Sequence, residues 1–346
     1  MHDTTIGLAL LLLAGAMNGS FTLPMKFTRE WAWENTWLVW TIFALLVFPP
    51  LLSYATIPGL SEVYARTGWG PVIIVAACGA GWGISQVFFG LANEAVGIAL
   101  AFALILGIAA VVGSLEPLLV YHPEKVFTSG GLAVLGGVVL LLIGVGICAA
   151  AGRRREAALA TAKPLGAAPA AARNVSLGRG IVYCVISGLG SALVNIGLNA
   201  GRPLLNAAQQ QGAALSWAPN AAWLPLMVAG GVPNLLYCVY LMRKNGTGGR
   251  FGARASFFYV LLAGVMALFW FGSTEMYGVS TLYLGDLGAV LGWPLFMSLI
   301  VISATMWGVV TGEWRGTGKK PLQLMASGVG VLIVAVFVLA EASRLG

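Results

Sequence analysis

Residues 131–151 read GLAVLGGVVLLLIGVGICAAA, and Gly152-Arg153-Arg154-Arg155 follow them. The run carries no charged side chain. At about 1.5 Å per residue it is long enough to cross, as a helix, a hydrocarbon layer of about 30 Å. The arginines mark where it meets water. Alone, such a run would read as a membrane anchor, but comparable windows recur along the whole chain. They fall near 6–25, 36–57, 70–91 and 96–119 before it, and near 179–200, 220–242, 255–277, 287–311 and 322–342 after it. Of the 346 residues, 59% are hydrophobic and 9% charged. Soluble domains carry about 25% charged residues, so this chain has too few to coat a water-facing surface. The sequence therefore specifies an all-α membrane protein with ten transmembrane helices. The first run lacks a basic leader and an A-x-A-like cleavage site, so we expect it to be a retained span.

Basic residues set the orientation. The connections after spans 1, 3, 5, 7 and 9 hold 15 Lys and Arg, from Lys26 and Arg29 to Arg315, Lys319 and Lys320. The other side has four: Arg66, Lys125, Arg202 and Arg344. The positive-inside rule then places both termini outside the cytoplasm. The same rule accounts for the net charge of +7 without a nucleic-acid partner. Residues 152–178, Ala-rich and broken by Pro164 and Pro169, read as a cytoplasmic linker between residues 1–151 and 179–346, with five spans in each half. Cys78, Cys148, Cys184 and Cys238 lie in separate apolar runs, without metal-ligand or redox spacing. Gly15 with Gly19, and Gly188 with Gly190, mark faces where neighbouring helices approach closely.

The halves echo each other. Span 3 contains Trp82-x-x-Ser85-x-x-x-Phe89-Gly90, and span 8 contains Trp270-x-x-Ser273-x-x-x-Tyr277-Gly278. Span 2 opens on Glu34-x-x-Trp37-Leu38, and span 7 on Asn220-x-x-Trp223-Leu224. An odd number of spans per half forces the second half into the membrane upside down, giving two inverted five-helix repeats. Secondary transporters recurrently use this design, with the site between the repeats exposed to each side in turn.

Polar groups at membrane depth are costly unless satisfied, so they should face the bundle interior. The candidates are Asn18, Gln86, Asn195, Asn199 and Asn234. For each, binding a substrate and holding helices together are both open readings. Glu275 lies late in span 8, where an ionised carboxylate is expensive, and is the leading candidate for reversible protonation in a coupling step. Glu116 is a weaker candidate, because Pro117 follows it and a helix end is near. Trp31, Trp33, Trp37, Trp69, Trp217 and Trp314 read as an interfacial belt. Trp82 and Trp270 lie deeper. Rings beside amides suit a sugar, whose C–H faces stack while its hydroxyls take hydrogen bonds; core packing is the other reading.

Other chemistries lack their residues. His2 and His122 both lie outside the spans, which argues against haem or a histidine metal cluster. There is no Walker loop and no acidic cluster suited to Mg²⁺. No cofactor is expected beyond a coupling proton, and no enzymatic activity. A metabolite or drug exporter on the same scaffold is the rival reading. A membrane enzyme acting on lipid-linked sugar is a remote one, since no paired catalytic acids are evident.

Further stretches carry a family likeness along essentially the whole chain. They are Lys26-Phe27 with Trp31-Ala32-Trp33-Glu34-Asn35-Thr36-Trp37, then Gly81-Trp82-Gly83-Ile84, Gly113-Ser114-Leu115 and Asn199-Ala200-Gly201-Arg202-Pro203. Phe89-Gly90-Leu91, Gly97-Ile98, Gly107 and Leu142-Ile143-Gly144-Val145-Gly146-Ile147 belong with them, as do Asn234-Leu235 and Glu313-Trp314 with Gly318-Lys319-Lys320-Pro321. In these the chain resembles the L-rhamnose–proton symporter family of the drug/metabolite transporter superfamily. The resemblance implies sugar uptake driven by proton entry across a bacterial inner membrane. The family pattern is less well kept at Gly272–Tyr277 and Tyr283–Gly288, which leaves another deoxyhexose or a hexose open as substrate. On this reading Gln86, Asn199 and Asn234 bind hydroxyls, with Asn18 and Asn195 as further polar candidates. Trp82 and Trp270 stack on the sugar, and Glu275, or else Glu116, carries the proton.

Overall fold

The structure is a computed structural model that describes residues 4–161, 176–285 and 288–345. Among the described residues there is no β-strand, and ten helices are long and apolar enough to cross a membrane. Spans 1–5 are Thr4–Phe27, Trp33–Thr56, Trp69–Asn93, Leu104–Tyr121 and Ser129–Leu159. Spans 6–10 are Leu177–Gln210, Asn220–Asn245, Ser256–Tyr283, Gly288–Val310 and Lys319–Ala342. The chain is thus a multi-pass membrane protein. The fifth helix runs on through the arginine triplet to Thr161. Residues 152–161 are therefore helical where the composition suggested a linker; Ala and Arg are good helix formers, and the first proline comes only at Pro164. Residues 162–175 of the expected linker, and Asp286, lie outside the described residues.

The helices pair in a regular way. Span 3 packs on spans 6 and 7, span 1 on spans 8 and 9, and spans 5 and 10 run against each other. The close approaches fall at the expected glycines. Gly15 and Gly19 lie against Leu299 and Ser303 of span 9, and Gly188 and Gly190 against Ile108 of span 4 and Ser85 of span 3. Tightest is the crossing of spans 3 and 7, where a Cβ on Gly83 would run into the carbonyl oxygen of Gly230. Without side chains at both positions the backbones can touch.

Prolines in the spans free carbonyls that partners then take up. Pro117 has no N–H for the carbonyl of Gly113, and the Asn195 side chain supplies one at 2.6 Å. Pro225 likewise leaves the carbonyl of Ala221, and the Tyr64 hydroxyl donates to it at 3.0 Å from the short helix Leu60–Thr67. Burial pushes the Tyr64 phenol up, so it remains a donor. In span 2 Pro49 and Pro50 follow a π-helical stretch, Ile42–Val47, where the regular hydrogen-bond ladder is interrupted.

Candidate functional site

Trp82 of span 3 and Trp270 of span 8 come together at the middle of the bundle. Their rings stack with centroids 5.5 Å apart and planes 18° from parallel. The W-x-x-S spacing explains how each helix is trimmed there. Ser85 donates back to the carbonyl of Trp82 at 2.7 Å, and Ser273 to that of Trp270 at 2.6 Å. The small hydroxyl leaves room beside each indole for a neighbour: Gly190 packs on Ser85, and Asn18 of span 1 donates to Ser273 Oγ at 2.8 Å. Trp40 sets its edge against Trp270 at 5.2 Å, and Trp37 and Trp33 continue the aromatic column toward the start of span 2. Trp40 is buried, and its Nε1 has no acceptor among the described residues.

The amides divide into used and unused. Asn195 donates to the carbonyls of Gly113 and Ala289 and accepts from the Tyr277 hydroxyl, joining spans 4, 6, 8 and 9. Both of its donor hydrogens are engaged and it is fully buried, so this geometry leaves it no donor for a ligand. Asn18 spends a donor on Ser273, and Asn234 donates to the carbonyl of Gly230 in its own helix at 3.0 Å. The side chains of Gln86 and Asn199 are half-buried and hydrogen-bond to no described residue. Gln86 lies one turn from Trp82 on the same helix face. Asn199 is farther off: Gly197 meets Cys78, a full turn before Trp82, and Asn199 lies beyond that toward the end of span 6.

The two acids differ. Glu275 is 8% exposed, and no cationic side chain among the described residues pairs with it. It faces Asn220 at the start of span 7. With the Asn220 amide nitrogen turned to it, the carboxylate accepts at 2.7 and 3.3 Å, and Thr56 of span 2 donates to the amide oxygen at 3.2 Å. Ser53 donates to the Asn220 carbonyl at 3.0 Å. On its other side Glu275 lines a cavity of about 420 Å³. Glu116 keeps one buried carboxylate oxygen without a partner among the described residues. Its helix continues through Pro117 and ends at Tyr121, close to the expected end of span 4.

At the opposite end, Glu34 opens span 2 and accepts from Asn245 at 2.9 Å and Thr247 at 2.8 Å, just where span 7 finishes. Spans 2 and 7 therefore clasp each other reciprocally, since Asn220 opens span 7 against the last turns of span 2. Near the same end Lys26 pairs with Glu313 at 2.6 Å, while Arg155 donates to the Glu313 carbonyl at 2.7 Å and lies over the Trp314 ring. Trp31, expected in the interfacial belt, is buried instead. It donates to Ser256 at 3.2 Å and packs edge-on against Phe251 and Tyr259, a polar and aromatic pocket that no hydropathy window registers. Residue-type reasoning also passed over Asn220, Tyr277 and Trp40 as site residues. Asn220 did stand out as the partner of Glu34 in the repeat.

The sequence model of the family described as L-rhamnose-proton symport protein matches residues 1–343. The L-rhamnose-proton symporter of Klebsiella pneumoniae (strain 342) is 26% identical over 344 residues, covering 96% of each chain. Those of Shigella sonnei and Escherichia coli (strain SMS-3-5 / SECEC) are each 27% identical over 341 residues, again covering 96% of both chains.

Proposed function

The chain belongs to the L-rhamnose-proton symport protein family, and on that premise we propose that it imports L-rhamnose or a related deoxyhexose together with a proton. The observation that carries this reading is the meeting of Trp82 and Trp270, from matching positions of the two halves, at the centre of the bundle. In this conformation the indoles cover each other. Rocking of one half against the other would uncover a ring face on each for the C–H side of a sugar. Gln86, one turn from Trp82, and the Trp40 N–H, whose ring lies against Trp270, have no described partner; Asn234 on span 7 and Asn199 on span 6 are further polar candidates. They take the hydroxyls.

Glu275 takes the proton. A carboxylate without a cationic partner, facing a neutral amide, is stable in an apolar span when protonated and costly when charged, so proton and substrate cross together. Glu116 is a second acid of the same kind. The reciprocal clasps of spans 2 and 7 support the inverted-repeat reading, with one clasp at each end of the bundle and alternating access between them. Both termini face the periplasm of a bacterial inner membrane, and the connection between spans 5 and 6 lies on the cytoplasmic side. No cofactor enters beyond the proton.

The test is internal acidification of proteoliposomes challenged with a panel of sugars. L-Rhamnose should lower the internal pH relative to empty liposomes. Folded protein that acidifies with no sugar would overturn the reading.

A further inference from the structure

Span 6 is two helices, Leu177–Ala200 and Arg202–Gln210, joined at Gly201. Arg202 opens the second, is half-buried, and makes no hydrogen bond or ion pair with any described residue. Its guanidinium is within electrostatic reach of the buried Tyr277 hydroxyl, which donates to Asn195. Spans 4 and 6 are separated by one crossing and so run in the same direction. Their contacts keep one register, with Gly188 against Ile108 and the Asn195 amide on the Gly113 carbonyl. One turn beyond Asn195, on the same face, stands Asn199, and one turn beyond Gly113 stands Glu116. The Glu116 carboxylate lies toward spans 3 and 6, since it acts electrostatically on Cys78, which packs against Gly197. Asn199, Glu116 and Arg202 therefore stand over the Asn195 node, and Asn199, one Glu116 oxygen and the guanidinium are all without a described hydrogen-bond partner.

The cluster is separate from the indole stack. Gly190 meets Ser85, Gly197 meets Cys78 and Leu193 meets Gly81, so Trp82 is level with residue 193. Asn199 lies six residues farther on, about 9 Å along the helix. That exceeds the width of one pyranose ring, so a sugar on the stack does not fill the cluster. A carboxylate or phosphate would engage Arg202 but bring no donor for the Glu116 oxygen. Adjacent hydroxyls answer all three groups. Their oxygens accept from the guanidinium and the amide, and their hydrogens go to Asn199 and to Glu116, which can accept whether protonated or ionised. We propose that Asn199, Glu116 and Arg202 form a second sugar site, outward of the tryptophan stack, where a pair of neighbouring hydroxyls docks before the sugar moves to the centre. The choice of ligand rests on the symport reading; the site itself rests on the unpaired groups and their register.

The experiment is equilibrium dialysis of radiolabelled L-rhamnose against the purified full chain in detergent, without a gradient. Two saturable sites per chain are expected. Arg202→Gln should weaken one of them by about tenfold or more, the worth of a hydrogen bond to a charged group, and Trp270→Ala should weaken the other. Arg202→Lys keeps the charge but loses the planar fork, and should weaken the outer site severalfold. A single site, lost with Trp270→Ala and untouched by Arg202→Gln, would overturn the proposal and leave the symport reading standing. A single site weakened alike by both substitutions would also overturn it, because the sugar would then have one position. Should Arg202→Gln fail to fold, Asn199→Ala and Arg202→Lys draw the same contrast. Folded wild type that binds no L-rhamnose would overturn the ligand assigned here, and the acidification assay then shows separately whether symport of another sugar survives.

Discussion

The link between Asn195 and Pro117 can be tested as a thermodynamic cycle. Replacing Asn195 by Leu keeps the branched heavy-atom skeleton but removes three hydrogen bonds, and leaves the Gly113 carbonyl and the Tyr277 hydroxyl unpaired in a buried site. Hydrogen bonds between membrane helices are worth about 0.6 kcal/mol on average and at most about 1.7. Three of them give about 2–5 kcal/mol. Pro117→Ala changes the arithmetic, because an alanine at that position has the N–H that the Gly113 carbonyl lacks. In that background Asn195→Leu should cost less, by the value of one bond, about 0.6–1.7 kcal/mol. Reversible unfolding of the four proteins in mixed micelles, followed by tryptophan fluorescence, yields the coupling directly. If the two substitutions add, or if Pro117→Ala makes the loss of Asn195 worse, the side chain is not standing in for the missing backbone donor.

Other outcomes follow from the site. Glu275→Gln should abolish sugar uptake against a gradient while sparing sugar exchange; retained uphill uptake in proteoliposomes would remove the acid from the coupling step. Trp270→Phe keeps a ring face and should cost sugar binding about two- to tenfold, in line with aromatic terms of about 0.5–1.5 kcal/mol, whereas Trp270→Ala should cost more; binding isotherms for both variants check the order. The Lys26–Glu313 pair is 41% and 39% exposed, so Lys26→Ala should change unfolding free energy by less than about 1 kcal/mol, measured in the same micelle assay. Gly83→Val places a branched side chain against the Gly230 backbone and should prevent spans 3 and 7 from packing, seen as loss of a monodisperse peak in size-exclusion chromatography.

The ten spans were legible because length and hydropathy are local properties, and the glycine faces because small residues inside apolar runs have few other uses. The pairing of Trp82 with Trp270 was half legible: the repeat singled out both residues, but nothing local says that equivalent positions meet. Asn195 shows why site roles were harder. Its partners are a carbonyl exposed by a proline on span 4, a carbonyl on span 9 and a phenol on span 8. Its occupation is therefore a property of four helices at once. Asn220 was visible only as a repeat marker, since its meaning comes from Glu275 and Thr56, which the fold brings to it. The end of span 5 was misjudged for a simpler reason. Arginines stop a helix from entering lipid, but they do not stop it from being a helix.

The clasps of spans 2 and 7 also bear on how the chain is made. Glu34 finds its donors 211 and 213 residues later, and Asn18 finds Ser273 255 residues later. At about 5–20 residues per second, synthesis of the intervening chain takes roughly 10–50 s. For that interval the first spans sit at the insertion machinery with a carboxylate and an amide that have no protein partner. The N-terminal half is thus an unfinished product until span 8 emerges, and a truncated chain ending before span 7 should be a ready target for membrane proteolysis.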